Sequence, residues 1–189
     1  MKKTILSVFL FLIVIHTANS QNQATVEKSI TSLQIGILGV YVNNEFAVSK
    51  QIVLTTEIGL NGSIFGGFSY DKTGIVLAPS ITVEPKWYYN LEKRKEKGKT
   101  HTNNNGNFFS LKNSFSPNWF VISNYDNIQT VPQFTVIPSW GIRRNISSKL
   151  MYEISGGIGY RYINYKSIGY TKNKNETFPN FHLRIGYLF

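Results

Sequence analysis

Of the 189 residues, 20 are Lys or Arg and 10 are Asp or Glu, a formal charge of +10, and there is no cysteine. The missing thiol excludes a disulfide scaffold, a thiolate metal site and a cysteine lipid anchor. A membrane helix needs roughly 18 consecutive apolar residues. The best run after the first twenty residues, Ile35 to Val42, has eight, two of them glycine.

Lys2 and Lys3, the apolar stretch Thr4 to Ile15 and the small-residue site Ala18-Asn19-Ser20 have the form of a secretory signal peptide. Residues 1–20 are therefore set apart, and residues 21–189 are expected to fold as one domain. Without Lys2 and Lys3 the formal charge falls to +8.

From there apolar residues recur at every second position, the period of a strand. Leu33 to Val42 puts Leu33, Ile35, Ile37 and Tyr41 on one face. Ile52 to Asn61 sets Ile52, Leu54, Ile58 and Leu60 against Thr55, Glu57 and Asn61. Ile75 to Tyr89 runs from Ile75 through Ile81 and Val83 to Trp87 and Tyr89, opposite Ser80, Thr82, Glu84 and Lys86. Gly106 to Phe115 sets Phe109, Leu111 and Phe115 against Ser110, Lys112 and Ser114. Gln133 to Arg143 sets Phe134, Val136, Trp140 and Ile142 against Thr135, Ser139 and Arg143. Leu150 to Ile163 sets Tyr152, Ile154, Ile158, Tyr160 and Tyr162 against Glu153, Ser155 and Arg161. The last segment sets Phe181, Leu183, Ile185, Tyr187 and Phe189 against His182 and Arg184.

In all seven segments the apolar face carries no charge, and the other face carries all of them. A one-residue slip would exchange the faces, so the register is strongly specified. A soluble β-sandwich also separates a wet face from an apolar one, but three features favour a barrel with the apolar face outward. Trp87, Tyr89, Trp140, Tyr160, Tyr162 and Tyr187 gather toward strand ends, as in the aromatic girdles of membrane barrels. The longest segments exceed the usual strand of about 5–6 residues. The polar face is rich in Gly, Ser and Thr, which pack around charges in a narrow bore.

Single-chain bacterial barrels normally have an even strand number, so seven segments imply a missing eighth, expected within Gln21 to Thr31 or Trp119 to Ser123. Asn43 to Lys50 and Arg144 to Lys149 read as turns on one side, together with the basic stretch Leu91 to Asn104. Gly62 to Thr73, Pro117 to Thr130 and Lys166 to Phe178 read as loops on the other. Pro79, Pro85 and Pro138 are expected at bulges or strand ends. The fold class is thus all-β, an antiparallel up-and-down transmembrane β-barrel of eight strands.

Several motifs now fit one pattern: Glu84-Pro85-Lys86-Trp87-Tyr88-Tyr89-Asn90-Leu91-Glu92-Lys93-Arg94, then Gly106-Asn107-Phe108, Pro138-Ser139-Trp140-Gly141-Ile142-Arg143-Arg144, Gly157-Ile158-Gly159-Tyr160 and the ending Leu183-Arg184-Ile185-Gly186-Tyr187-Leu188-Phe189. In their order the chain resembles small outer-membrane β-barrel proteins of the Bacteroides–Flavobacterium kind. The resemblance implies export to the cell outer membrane of a Gram-negative envelope. It also implies that Phe189 looks like the terminal aromatic read by the barrel-assembly machinery, and it transfers no catalytic or binding residue.

The search for chemistry is short. Acyl hydrolysis needs a nucleophile, a His base and an orienting acid together. His101 lies in a polar loop, and His182 stands on the polar face without a serine on its own strand. No catalytic residue, metal site, cofactor or nucleic-acid motif is assigned. Glu57, Glu84, Lys86, Lys112, Arg143, Glu153, Arg161, His182 and Arg184 form a lumen charge cluster, read as a plug because eight strands leave a bore that side chains just fill. Glu84→Ala or Arg161→Ala is expected to lower stability by leaving a charge unpaired, at about 3–5 kcal/mol if it is fully buried. Lys93 to Lys99 reads as a solvated turn.

The expected protein is a monomer without enzymatic activity. Its partners would be outer-membrane lipid and a surface ligand left unidentified, met through loops Ser63 to Lys72, Asn118 to Gln129 and Ser167 to Thr177 with Phe65, Phe68, Tyr70, Trp119, Phe120 and Tyr125. The alternatives are a lipid-modifying barrel enzyme and a narrow anion-selective pore, the latter favoured by five lumen cations against three Glu.

Overall fold

The structure is a computed structural model describing residues 23–67 and 71–189. The expected signal peptide, Phe68 and Tyr70 lie outside the described residues. Among the described residues nine strands form: β1 (Ser29–Gly36), β2 (Gly39–Ala47), β3 (Ile52–Phe65), β4 (Gly74–Trp87), β5 (Asn107–Ser116), β6 (Ile122–Ser123), β7 (Gln133–Asn145), β8 (Leu150–Ile163) and β9 (Lys174–Leu188). One short helix, α1 (Leu91–Glu96), follows β4.

Eight strands close an antiparallel barrel in the order β1-β2-β3-β4-β5-β7-β8-β9, sealed by the β1–β9 ladder. The ninth, β6, lies outside the ring and pairs only with Val76 and Leu77 of β4. One end carries the short turns at Val48 and Ile146 and the segment 88–106. The other carries the connections after β3, β5 and β8 and the tight turn at Ile37-Leu38.

The eighth strand comes from splitting Leu33 to Val42, not from the two places expected. Gly36 pairs with Gly39, so Ile37-Leu38 is a two-residue hairpin turn, and Gly39 takes a φ of +146° that an L side chain rarely adopts. The turn resets the alternation. Tyr41 therefore faces inward at 6 % exposure, opposite to the expectation, while Val40 and Val42 face outward. Asn43 to Ala47 belongs to β2 and is no turn.

The prolines make no bulge. The β3–β4 register keeps one offset from Ile52↔Trp87 to Phe65↔Gly74, through both Pro79 and Pro85. Each proline instead sits where its other ladder is broken. The β4–β5 pairing skips Glu84-Pro85 and ends at Ile81, and the β7–β8 pairing skips Ile137-Pro138. Lacking an N–H, proline costs nothing at a gap in the ladder.

The burial pattern is inverted relative to a soluble protein. Ile35, Ile58, Ile158 and Phe181 are at least 60 % exposed, whereas Arg143, Glu45 and Glu153 are 1–2 % exposed. On β4 the outward series from Ile75 to Trp87 spans twelve residue steps, roughly 40 Å along the strand and ~30 Å along an axis tilted by about 40°. No described helix is long and apolar enough to cross a membrane, which bears on helices alone.

Candidate functional site: the lumen

The lumen has three tiers. At the short-turn end Tyr88, Leu91, Phe108 and Val53, all 0 % exposed, join Ala24 and Val26 in an apolar cap. Met151, Ile30 and Leu188 add a smaller cluster beside it. The segment after β4 is thus part of the barrel's floor. Arg94 donates to the Thr100 carbonyl (3.0 and 2.8 Å) and to Asn105 Oδ1 (3.0 Å), so one cation of the basic run is a structural clamp. Asn103 and Asn104 both sit at φ +55°, where Asn is tolerated. Asn104 Nδ2 reaches up to Glu45 Oε2 at 3.0 Å.

Above the cap lies the charge network. Arg143 grips Glu45 with two bonds (Nη1 to Oε2 2.7 Å, Nη2 to Oε1 2.6 Å) and Glu153 with two more (Nε 3.0 Å, Nη2 2.7 Å, both to Oε2). Lys86 Nζ donates to both Glu153 oxygens (3.0 and 3.1 Å) and to Glu45 Oε1 (3.3 Å). Arg143 lies 5.8 Å from the Tyr88 ring and Lys86 5.0 Å from that of Phe108, so the aromatic cap also faces the cations. A second group stands higher. Arg184 binds Glu57 through both terminal nitrogens, donates to Gln34 Oε1 at 3.3 Å and stacks on Tyr41 at 3.5 Å.

The network reorders the expected cluster. Glu45, placed by the sequence reading in a turn, is its most heavily bonded acid. Glu84 Oε2 approaches only Lys86, at 3.8 Å. Arg161 lies at the upper end, paired with Glu176 at 3.1 Å where both are about 30 % exposed, and packs on Phe178. Lys112 Nζ is 3.9 Å from Glu57 Oε1. Four lumen carboxylates (Glu45, Glu57, Glu84, Glu153) thus face four lumen cations (Lys86, Lys112, Arg143, Arg184), as a desolvated network requires.

His182 Nε2 lies 3.7 Å from Glu153 Oε1 and makes no hydrogen bond. A serine does stand beside it: Ser155 is its cross-strand partner on β8. No hydrogen bond joins the two, and Glu153 is occupied by Arg143 and Lys86, so nucleophile, base and orienting acid are not connected. No group of three or more metal-ligating side chains occurs among the described residues.

The third tier is open. A cavity of about 630 Å³ fills the long-loop half, floored by Arg184, His182 and Lys112 and walled by Arg161, Phe178 and Tyr41.

Outside, the aromatics form two belts. Near the short-turn end the rings of Trp87, Tyr89 and Phe109 touch, Trp140 Nε1 donates to Tyr89 Oη (3.0 Å) and Trp87 Nε1 to Gln51 Oε1 (3.1 Å). Tyr187 meets Phe189 edge-on there. Tyr160 and Tyr162 lie toward the long-loop end, where Tyr162 pairs across to Phe134. The loop after β5 is pinned to β4: Asn124 Oδ1 accepts from Ile75 N (2.8 Å), and Tyr125 Oη donates to the Lys72 carbonyl (2.7 Å). Trp119 and Phe120 remain exposed.

Compared with known proteins, the chain matches no family model, no curated relative and no solved structure.

Proposed function

We propose that the exported chain is a small, non-enzymatic, monomeric barrel of the outer membrane, a rigid post with a structural or surface-interaction role through its long-loop end. The observation that supports this is the inversion of burial. A continuous outward apolar surface far exceeds the few hundred Å² that soluble monomers expose, while the charges are inside and paired. The ~30 Å apolar height along β4 agrees with a hydrocarbon core of about that thickness. The two belts place amphipathic rings where headgroups would lie. Short turns and the apolar cap then face the periplasm, and the pinned loops with Trp119 and Phe120 face outward.

The test is fractionation of cells expressing the full chain. The protein should pellet with outer membranes, resist carbonate extraction and run faster on a gel unboiled than boiled. Recovery from the soluble periplasmic fraction would end this reading.

A further inference from the structure

β1 and β2 are short. The β1–β9 ladder ends at Gly36↔Arg184, so β9 residues 174–183 have no ladder partner on that side. On the other flank β3 runs on to Phe65, past its last β2 partner at Asn61. The barrel wall therefore has a gap above the Ile37-Leu38 turn, at the level of the open upper lumen. Against the outer wall a groove of about 480 Å³, lined by Leu33, Ile35, Leu150, Ile185 and Tyr187, runs from the Ile37-Leu38 turn toward the short-turn end. Lumen cavity and outer groove share four residues, Gly36, Ile37, Leu183 and Arg184. The two spaces thus lie on opposite sides of the same stretch of wall, at the lower edge of the gap.

The chemistry on the two sides differs. The groove is apolar. The cavity lining contains Lys112, Arg161, Arg184 and His182 and no Asp or Glu. Arg184 and Arg161 are paired with Glu57 and Glu176. Lys112 has no acid to itself: its nearest, Glu57 at 3.9 Å, is already held by Arg184. Two buried nitrogens, Nε2 of His182 and Nε of Arg161, also lack a hydrogen-bond partner. Buried polar nitrogens without partners are uncommon, and here both belong to side chains that line one space of a volume typical of ligand sites.

The geometry points to a binding site for an amphiphile with an anionic head and an acyl chain, entering sideways from the membrane. The head sits beside Lys112 and His182, and the chain leaves through the gap above the hairpin into the outer groove. Below the head the charge network closes the lumen, so the site is a dead end.

This rests on the proposed membrane location, and the test keeps the two separate. The full chain is refolded in non-ionic detergent, its fold checked by heat-modifiability, and titrated with the fluorescent fatty acid cis-parinarate. Saturable binding is expected, at least tenfold weaker for oleyl alcohol than for oleate as competitor. Competition by oleate alone identifies a free fatty acid as the source, and competition also by dioleoylphosphatidylglycerol identifies an anionic lipid head. Lys112→Gln should weaken binding at least tenfold. Ile37→Glu, at a tip residue 69 % exposed, should weaken it several-fold by placing a negative charge at the gap. For Gly36, a Cβ would make only ordinary contacts, 3.4 Å or more, so Gly36→Ala should fold and narrow the entry. Inorganic phosphate competing as well as oleate, equal affinity for the alcohol, or unchanged binding in the folded Lys112 and Ile37 variants would overturn the inference. A folded chain that binds no probe sinks this inference alone, whereas a chain recovered from the periplasm sinks the membrane reading.

Discussion

Glu45→Gln tests the lumen network where it is most concentrated. The Glu45 carboxylate accepts from Arg143 at 2.7 and 2.6 Å, Asn104 at 3.0 Å, Thr55 at 3.2 Å and Lys86 at 3.3 Å. Gln keeps the shape and removes the charge. Glu153 would then serve both Arg143 and Lys86, and the four-to-four balance of lumen charges would become one positive charge in excess. Leaving a buried cation without its partner costs about 3–5 kcal/mol. Glu84→Gln provides the comparison, because its carboxylate has a single partner at 3.8 Å and no hydrogen bond to it, so its loss should cost less than that of Glu45. Urea unfolding of protein refolded into phosphatidylcholine vesicles, followed by tryptophan fluorescence and gel mobility, measures both. Adding Lys86→Met to Glu45→Gln removes the stranded cation and should recover part of the loss, a coupling on the order of 1–3 kcal/mol. If Glu45→Gln and Glu84→Gln cost the same within 1 kcal/mol, the lumen is hydrated and the reasoning from buried pairing fails.

Four further outcomes follow from the same geometry. Conductance of the pure protein in planar bilayers should stay near background, because the network and the apolar cap close the bore; a steady anion-selective current would contradict this. Arg161→Ala should change stability by no more than about 1 kcal/mol in the same urea assay, since its pair with Glu176 is partly solvated. Gly157→Ala should lose about 1–3 kcal/mol or fail to fold, because a Cβ would meet the Pro138 carbonyl oxygen at 2.1 Å, whereas Gly156→Ala, with only a contact at 3.9 Å, should be near neutral. Leu91→Ala should cost about 2–5 kcal/mol by opening a cavity in the cap, which a shift in the unfolding midpoint would show.

The closed eight-strand barrel and the faces of β3, β4, β7, β8 and β9 were legible because alternation over 9–15 residues leaves one register that separates charge from apolar surface. The β1–β2 hairpin was not. Its turn is Ile37-Leu38, two apolar residues where Asn-Gly or Asp-Gly would announce a hairpin, so two strands read as one. The cap was hidden for a different reason: the segment after β4 is charged along Lys93–Lys99, and its contribution comes from Tyr88, Leu91 and the Asn103-Asn104 pair, which carry no periodic signal.

One misplaced turn altered the electrostatic reading of the whole lumen. With Asn43 to Lys50 taken as a connection, Glu45 was outside the barrel, and the lumen appeared to hold five cations against three acids, the argument for an anion path. The hairpin turn brings Glu45 in, and β9, reaching back to Lys174, brings Glu176 beside Arg161. Each of the five cations then has an acid within 4 Å, so net charge no longer favours conduction. What survives is local. Lys112 shares Glu57 with the more tightly bound Arg184, and His182 and Arg161 each keep a nitrogen unbonded at the open tier. Within the lumen, the positive character that remains is therefore local to the cavity above the network, the place of the proposed anion site.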